Sequence, residues 1–333
     1  MSRRRLQNRI ERLLNQYDRE IERAFLNAIR DKAQSINLRE LANAIEARDF
    51  NQALRLAGLA RSDLFPFDTS ITSAYVAGGQ TVPAAAPAFA AAFGFDGRAT
   101  RAEAWARNHV GGLVAGIVDE QLDMLRETIG NQMAAGEAPR SVAVRIAGQM
   151  ENGTRKGGII GLSRSQERYL SGARAELEAL DGRYFGRKLR DRRFDGLVRK
   201  AIASGKPLIK TDVERIARRY SDRLLKHRAD TIARTESITA LRAGRREGIQ
   251  QGIEAGAIRA GAVKRVWSAT LDSRTREDHA TMHGQEVAGM DAPFALPDGS
   301  RMLFPGDTSL GAAASQTINC RCYDEYVVDW LRG

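Results

Sequence analysis

Residues 211–256 read TDVERIARRYSDRLLKHRADTIARTESITALRAGRREGIQQGIEAG. Ile216, Tyr220, Leu224 and Leu225 recur at helical steps. Thr211 and Glu214 have the spacing of a capping box, in which the hydroxyl accepts from the third amide and the carboxylate reaches back. The pattern predicts a helix from about Thr211 to about Leu241. Gly244, Gly248, Gly252 and Gly256 then fall on every fourth position. On a helix such glycines share one face, and each costs several tenths to ~1 kcal/mol relative to alanine. Close approach by another surface must return more than that. A second helix of the same chain is the expected occupant and a partner's backbone the alternative; the spacing fits neither a phosphate-cradling loop nor a dinucleotide fingerprint.

The rest of the chain supports a mainly α fold: a helical body with a small C-terminal α+β domain. Hydrophobic residues make up 43% and aromatics only 6%, which favours helices packed through small side chains. Leu6, Ile10, Leu13, Tyr17, Ile21, Phe25 and Ile29 predict a long amphipathic helix over 3–34, docked on the rest of the chain or gripping another subunit. A shorter helix is expected from Leu38 to Arg48, then a loop-rich stretch around Phe65-Pro66-Phe67. The Ala/Pro segment from Thr81 to Phe95 reads as a linker or surface loop, too short and broken to span ~30 Å of hydrocarbon.

Val110, Val114, Ile117, Val118, Leu122, Leu125, Ile129 and Met133 mark a second strong helix over 101–135, closed by Gly136 with Pro139 beyond. Ser141 to Met150 is expected to be helical and Asn152 to Gly158 a flexible connection. Ser163 with Gln166 is a further capping box, opening a helix from Arg164 to Leu180. From Lys264 onward the character changes: a strand over Val263–Thr270, a short helix over Thr275–His283 and a strand over Arg321–Val328 are predicted. The implied organisation is 1–100 as helical arm and loop-rich segment, 101–260 as helical body and 261–333 as α+β domain.

The net charge of +11 is unevenly spread. Between residues 153 and 276 there are 30 Lys+Arg and 14 Asp+Glu, a net of +16, so the remainder is −5. A basic segment of this kind fits a polyanion such as double-stranded DNA, because each cation that meets a phosphate releases counterions. A solvated helical face is the plainer reading. Two cysteines cannot build a disulfide framework, and Ser2-Arg3-Arg4-Arg5 replaces any apolar leader, so synthesis in a reducing, cytoplasm-like compartment is expected.

Those two cysteines are Cys320 and Cys322, in Asn319-Cys320-Arg321-Cys322. His279 and His283 lie one helical turn apart upstream, so both rings would share a face of the helix. Two imidazoles and two thiolates make a tetrahedral zinc set, with zinc as a structural cofactor. The Cys-x-Cys spacing is tighter than usual, and a metal-free hydrogen-bonded arrangement is the alternative. A zinc protease would need His-Glu-x-x-His, whereas Ala280, Thr281 and Met282 separate these histidines. Asp278 could orient the His279 ring, although capping is the commoner role. Asp272 before Arg274 and Arg276 is read as organising a turn, and Glu236 as an ion pair with Arg234 on the helix.

Taken in order, Ile232-Ala233-Arg234-Thr235-Glu236, Trp267, Asp272-Ser273-Arg274-Thr275-Arg276, His279, Gly284, Pro305-Gly306-Asp307 and Asn319-Cys320-Arg321-Cys322 resemble the bacteriophage Mu protein F-like minor head, or head morphogenesis, proteins. The resemblance extends over roughly 105–325 and includes the helix entered at Ser163. It implies a minor capsid protein inside the phage head near the portal vertex, with portal or major capsid protein and DNA as partners and no membrane. It also implies a structural staple at the His/Cys cluster and no enzymatic activity. Similar proteins sometimes carry a fused toxin; the eleven residues after Cys322 are expected to hold none. The competing readings are a metal-dependent nuclease or hydrolase using the cluster with Asp272 or Asp307, and a cytoplasmic nucleic-acid-binding protein.

Overall fold

The computed structural model describes residues 3–82 and 93–328. They are mainly α-helical, with short antiparallel sheets concentrated at the C-terminal end. Contacts gather the chain into two compact units, one from residues within 1–23, 67–111 and 230–333, the other from 24–66 and 112–229. The division into 1–100, 101–260 and 261–333 follows chain order, whereas each unit joins segments distant in sequence.

In the first unit, α4 (Phe65–Gly79) and α5 (Thr100–Trp105) accompany the later part of α10 (Lys210–Glu254). Phe65-Pro66-Phe67, expected in a loop, instead opens α4. Proline is tolerated in a first turn because the amide there has no acceptor within the helix. Phe67, Ile71, Ala74 and Tyr75 are then buried at helical steps.

Helix α10 does not stop near Leu241 but continues through the glycine stripe to Glu254. The occupant of the stripe at Gly244 and Gly248 is α4, whereas Gly252 faces the side chains of Ile258 and Phe93. A Cβ on Gly244 would lie 1.8 Å from the Tyr75 carbonyl oxygen, one on Gly248 2.8 Å from that of Gly79, and one on Gly78 2.1 Å from that of Leu241. Gly256 is not part of the contact: it ends the helix at φ +71°, a left-handed conformation that glycine adopts at low cost. The box predicted at Thr211 does not form either. Helix α10 begins at Lys210, the Ile209 carbonyl accepts from the Asp212 and Val213 amides, and Glu214 accepts from Arg174 Nη1 at 2.5 Å instead.

The C-terminal sheet has β3 (Val263–Ser268) at its centre, antiparallel to β4 (Glu286–Ala288) and β7 (Tyr323–Val328), with Trp267 opposite Asp324. Alternation along β3 turns Val263, Arg265 and Trp267 inward and leaves Lys264 exposed. A small hairpin, β5 (Phe294–Ala295) and β6 (Arg301–Met302), adds Phe294 and Met302 to the cluster around Trp267. Strands β4 to β6 are too short to leave a periodic signal in the sequence.

Residues 83–92 of the Ala/Pro stretch lie outside the described residues, as does the side chain of Leu6. The flanking Val82 and Phe93 are buried with Ile249 and Ile258.

The second unit contains α2 (Leu38–Glu46), α3 (Phe50–Ala57), nearly all of α6 (Gly111–Ala134), α7 (Pro139–Ala147), α8 (Arg164–Glu178), α9 (Asp195–Ser204) and the first part of α10. A π turn over Ala106–Val110 separates α5 from α6, where one unbroken helix was expected. Gly136 closes α6 at φ +76°, and Pro139 opens α7. The box at Ser163 forms as predicted, with Gln166 N donating to Ser163 Oγ and Ser163 N to Gln166 Oε1, both at 3.2 Å.

Asn152 to Gly158, expected as a flexible connection, begins in a hairpin of β1 (Gln149–Glu151) and β2 (Thr154–Lys156). Asn152 and Gly153 both have positive φ, 51° and 75°, as the two-residue Asn-Gly turn requires. Gln34 anchors this turn by donating to the Gly153 carbonyl at 2.8 Å and accepting from the Arg155 amide at 3.0 Å.

Candidate functional site

Three of the four proposed ligands converge. His279, on the five-residue α11 (Glu277–Thr281), turns Nδ1 toward Cys320 Sγ at 3.5 Å and Cys322 Sγ at 3.4 Å. All three residues are buried, and their donor atoms lie within 4.8 Å of one another. His283 does not join them. The shared-face argument requires a helix through residue 283, but α11 ends at Thr281, and the His283 Nδ1 accepts from the Ala269 amide at 3.2 Å.

The surroundings are apolar. Trp267 meets the His279 ring edge-on at 5.4 Å and Phe294 at 5.3 Å, and both cysteines pack into the cluster with Met282, Leu296 and Met302. Cys320 is held below the ordinary thiol range, chiefly by a hydrogen bond from Cys322, with His279 and the positive charge of Arg242 acting in the same direction. Cys322, as the donor, is pushed up.

The charged motif residues hold the segment that carries the cysteines. Arg321 grips Asp272 through both terminal nitrogens, one of them at 2.6 Å. Asp272 Oδ1 also accepts from the Arg274 amide at 2.9 Å, the turn role expected of it. Thr270 Oγ1 donates to the Arg321 carbonyl at 3.1 Å, and Arg276 Nη2 to the Ile318 carbonyl at 2.5 Å. Asn319 takes the left-handed conformation at φ 56° and donates its amide to Thr235 Oγ1 at 3.1 Å. The cysteine turn is thereby tied to α10 and to the loop before α11. These contacts keep Asp272 well below the usual carboxylate range, with the Arg321 hydrogen bonds as the largest cause.

Pro305-Gly306-Asp307 is a second such turn. Asp307 is buried, with Oδ2 accepting from the Leu303 amide and Oδ1 from the Ser309 amide, both at 2.9 Å. Arg242 Nη1 donates to the Pro305 carbonyl at 2.5 Å, and Gly306 sits beside that guanidinium at φ +88°. The Asp278 carboxylate, rather than orienting His279, accepts from Gln316 Nε2 at 2.8 Å.

Glu236 does not pair with Arg234. It meets His109 Nε2 at 2.7 Å, while Arg234 faces Asp18 at 3.5 Å. His109 carried no signal in the sequence. It is positioned by a ring stack in which Trp105 lies 4.4 Å from Tyr75 and 4.9 Å from His109. Arg265 was also missed, although a cation between Val263 and Trp267 on the inward face of a strand is itself a signal. Its guanidinium donates to the carbonyls of Gly289, at 2.8 Å, and of Leu303 and Ala292.

Residues 194–324 match the family model described as Phage Mu protein F like protein. The segment from Phe194 to Asp324 is a Mu F-like region. It is narrower than the 105–325 that the resemblance suggested, and it contains α10, the cluster and both charged turns. No curated protein and no solved structure matches the chain. Among the described residues, no helix is long and apolar enough to cross a membrane.

Proposed function

We propose that this protein is a minor capsid protein that acts in phage head assembly, DNA packaging or ejection, located inside the head at the portal vertex and contacting double-stranded DNA without sequence preference. The observation that carries the reading is the Mu F-like region over 194–324. The motif residues also support an architectural role. Asp272, Arg321, Asp307 and Arg242 spend their hydrogen bonds on backbone, on one another and on neighbouring hydroxyls, and His279 and both cysteines are buried beside apolar side chains. Nothing in that arrangement favours the nuclease or hydrolase alternative.

Support for DNA contact comes from residues 183–200. Arg187, Arg190 and Arg193 are engaged by Glu176, Asp195 and Asp191. Lys188, Arg192 and Lys200 are exposed and have no ion-pair partner among the described residues. Cations free of internal partners and without base-reading geometry contact phosphate, so affinity should fall steeply with salt. Binding of random duplex is expected to weaken by orders of magnitude between 50 and 200 mM salt. Replacing Lys188, Arg192 and Lys200 by Glu should lower the slope of log K against log salt by about one for each phosphate that is no longer neutralised. A slope near zero in the parent chain would end the DNA part of the proposal. Mass spectrometry of purified particles tests the head assignment, which fails if the chain is absent.

A further inference from the structure

From the convergence of His279 Nδ1, Cys320 Sγ and Cys322 Sγ, we infer a zinc site with three protein ligands, without His283. The argument begins with lone pairs. Nδ1 of a neutral imidazole can accept one hydrogen bond, yet two sulfurs approach it at 3.4 and 3.5 Å. At most one of the two thiols can donate to that lone pair with good alignment, and the other is left to donate to its neighbouring sulfur. A cation at the centre accounts for all three.

The distances agree with zinc. With Zn–S near 2.3 Å and Zn–N near 2.05 Å at a tetrahedral angle, nitrogen and sulfur would stand about 3.6 Å apart, and trigonal planar geometry would push them to about 3.8 Å. The observed separations lie at the tetrahedral end. A fourth position therefore remains, and no other described His, Cys, Asp or Glu shares the cluster.

The donor chemistry points the same way. Two thiolates and a neutral imidazole select a borderline-soft ion such as zinc over magnesium or calcium, which prefer oxygen. The salt bridge from Arg321 to Asp272 and the bond from the Asn319 amide to Thr235 hold the cysteine turn to the loop before α11 and to α10 independently of any ion. The ligands are thus arranged in advance, and the metal would lock the last turn before β7 to the helix carrying His279.

The test uses the full chain purified under reducing conditions without added chelator. Elemental analysis should find about one zinc per chain, as a site of this type requires. Cobalt exchanged into the protein should show thiolate-to-metal charge transfer and the intense visible bands of a tetrahedral ion. His279→Ala and Cys320→Ser should lose the metal, whereas His283→Ala should retain it. Because the first two variants could fail to fold, a chelator is also applied to the parent chain, with released zinc and the melting temperature followed together. Zinc release with a lower melting temperature supports the site. Substoichiometric metal with both thiols free, a Cys320–Cys322 disulfide in the reduced preparation, or equal loss of zinc in His283→Ala would each overturn it.

Discussion

Gly244→Ala should be among the most damaging single-methyl additions to this chain. The added Cβ would sit 1.8 Å from the Tyr75 carbonyl oxygen and 2.7 Å from its carbon. Carbon and oxygen tolerate little less than about 3.2 Å, so the backbones of α4 and α10 would have to part locally by about 1.4 Å. Both obstructing atoms are main chain, and no rotamer change can relieve the clash. A gap of 0.5–1 Å already forfeits roughly a quarter to a half of a dispersion contact, and the same interface includes Gly78 against Leu241 and Gly248 against Gly79. Overpacking of this kind costs about 1–3 kcal/mol or more. Alanine returns up to ~1 kcal/mol in helix propensity. Taking the upper end of that range because both obstructing atoms are main chain, the net expectation is a loss of about 2 kcal/mol or more, read from urea denaturation followed by far-ultraviolet circular dichroism. Gly116→Ala is the control, because a Cβ in that part of α6 meets nothing within 4 Å, and it should gain up to ~1 kcal/mol. If Gly244→Ala were as stable as the parent, or if the two variants moved together, the close approach of these helices would be refuted.

Arg265→Lys should cost about 2–4 kcal/mol, because one ammonium cannot reach the three carbonyls that the buried guanidinium fork serves; a midpoint in chemical denaturation indistinguishable from the parent would refute this. Asp191 is buried, and the hydrogen bond from Arg193 is the main reason its carboxyl is lowered to about 2 from an ordinary 3.8. A depressed carboxylate contributes stability that is present above its unfolded value and lost as pH falls through its folded value, so the loss should occupy the window from about pH 4 to about pH 2. Arg193 is largely exposed, and screening limits the contribution to about 1 kcal/mol. Asp191→Asn should remove that increment at neutral pH and flatten the acid-side decline, and an unchanged pH profile of the melting temperature would count against the pairing.

Helices with a recurring apolar stripe were legible because their information is local. Ile21, Phe25 and Ile29 are buried as their spacing in α1 (Arg3–Ser35) requires, and Ser163 caps α8 through a box written within four residues. The glycine stripe also announced, from its spacing alone, that something must lie against it. Thr211 shows the limit of such reasoning. It has the same box spacing as Ser163, but Glu214 takes a long-range partner in Arg174, and the helix starts elsewhere. Phe65-Pro66-Phe67 resembles a loop until the burial of Phe67 and Ile71 makes the helical conformation worthwhile.

For the candidate site, residue chemistry alone put forward His279, His283, Cys320 and Cys322, because closely spaced imidazoles and paired thiols are rare in this chain and their types restrict what they can do, and the structure brings three of the four together. The choice between His279 and His283 was not available from spacing. It depends on where α11 ends and on which backbone amide lies nearby, and the Ala269 amide took His283. The partners of Glu236, Arg242 and Arg321 were hidden for the same reason: each is joined to a residue between 49 and 127 positions away. Periodicity and residue type settle which faces must be covered and which atoms could bind an ion. Only the folded chain settles which surface covers them and which atoms meet, since a hydrogen bond or a ligand set depends on distances of a few ångströms that sequence separation does not encode.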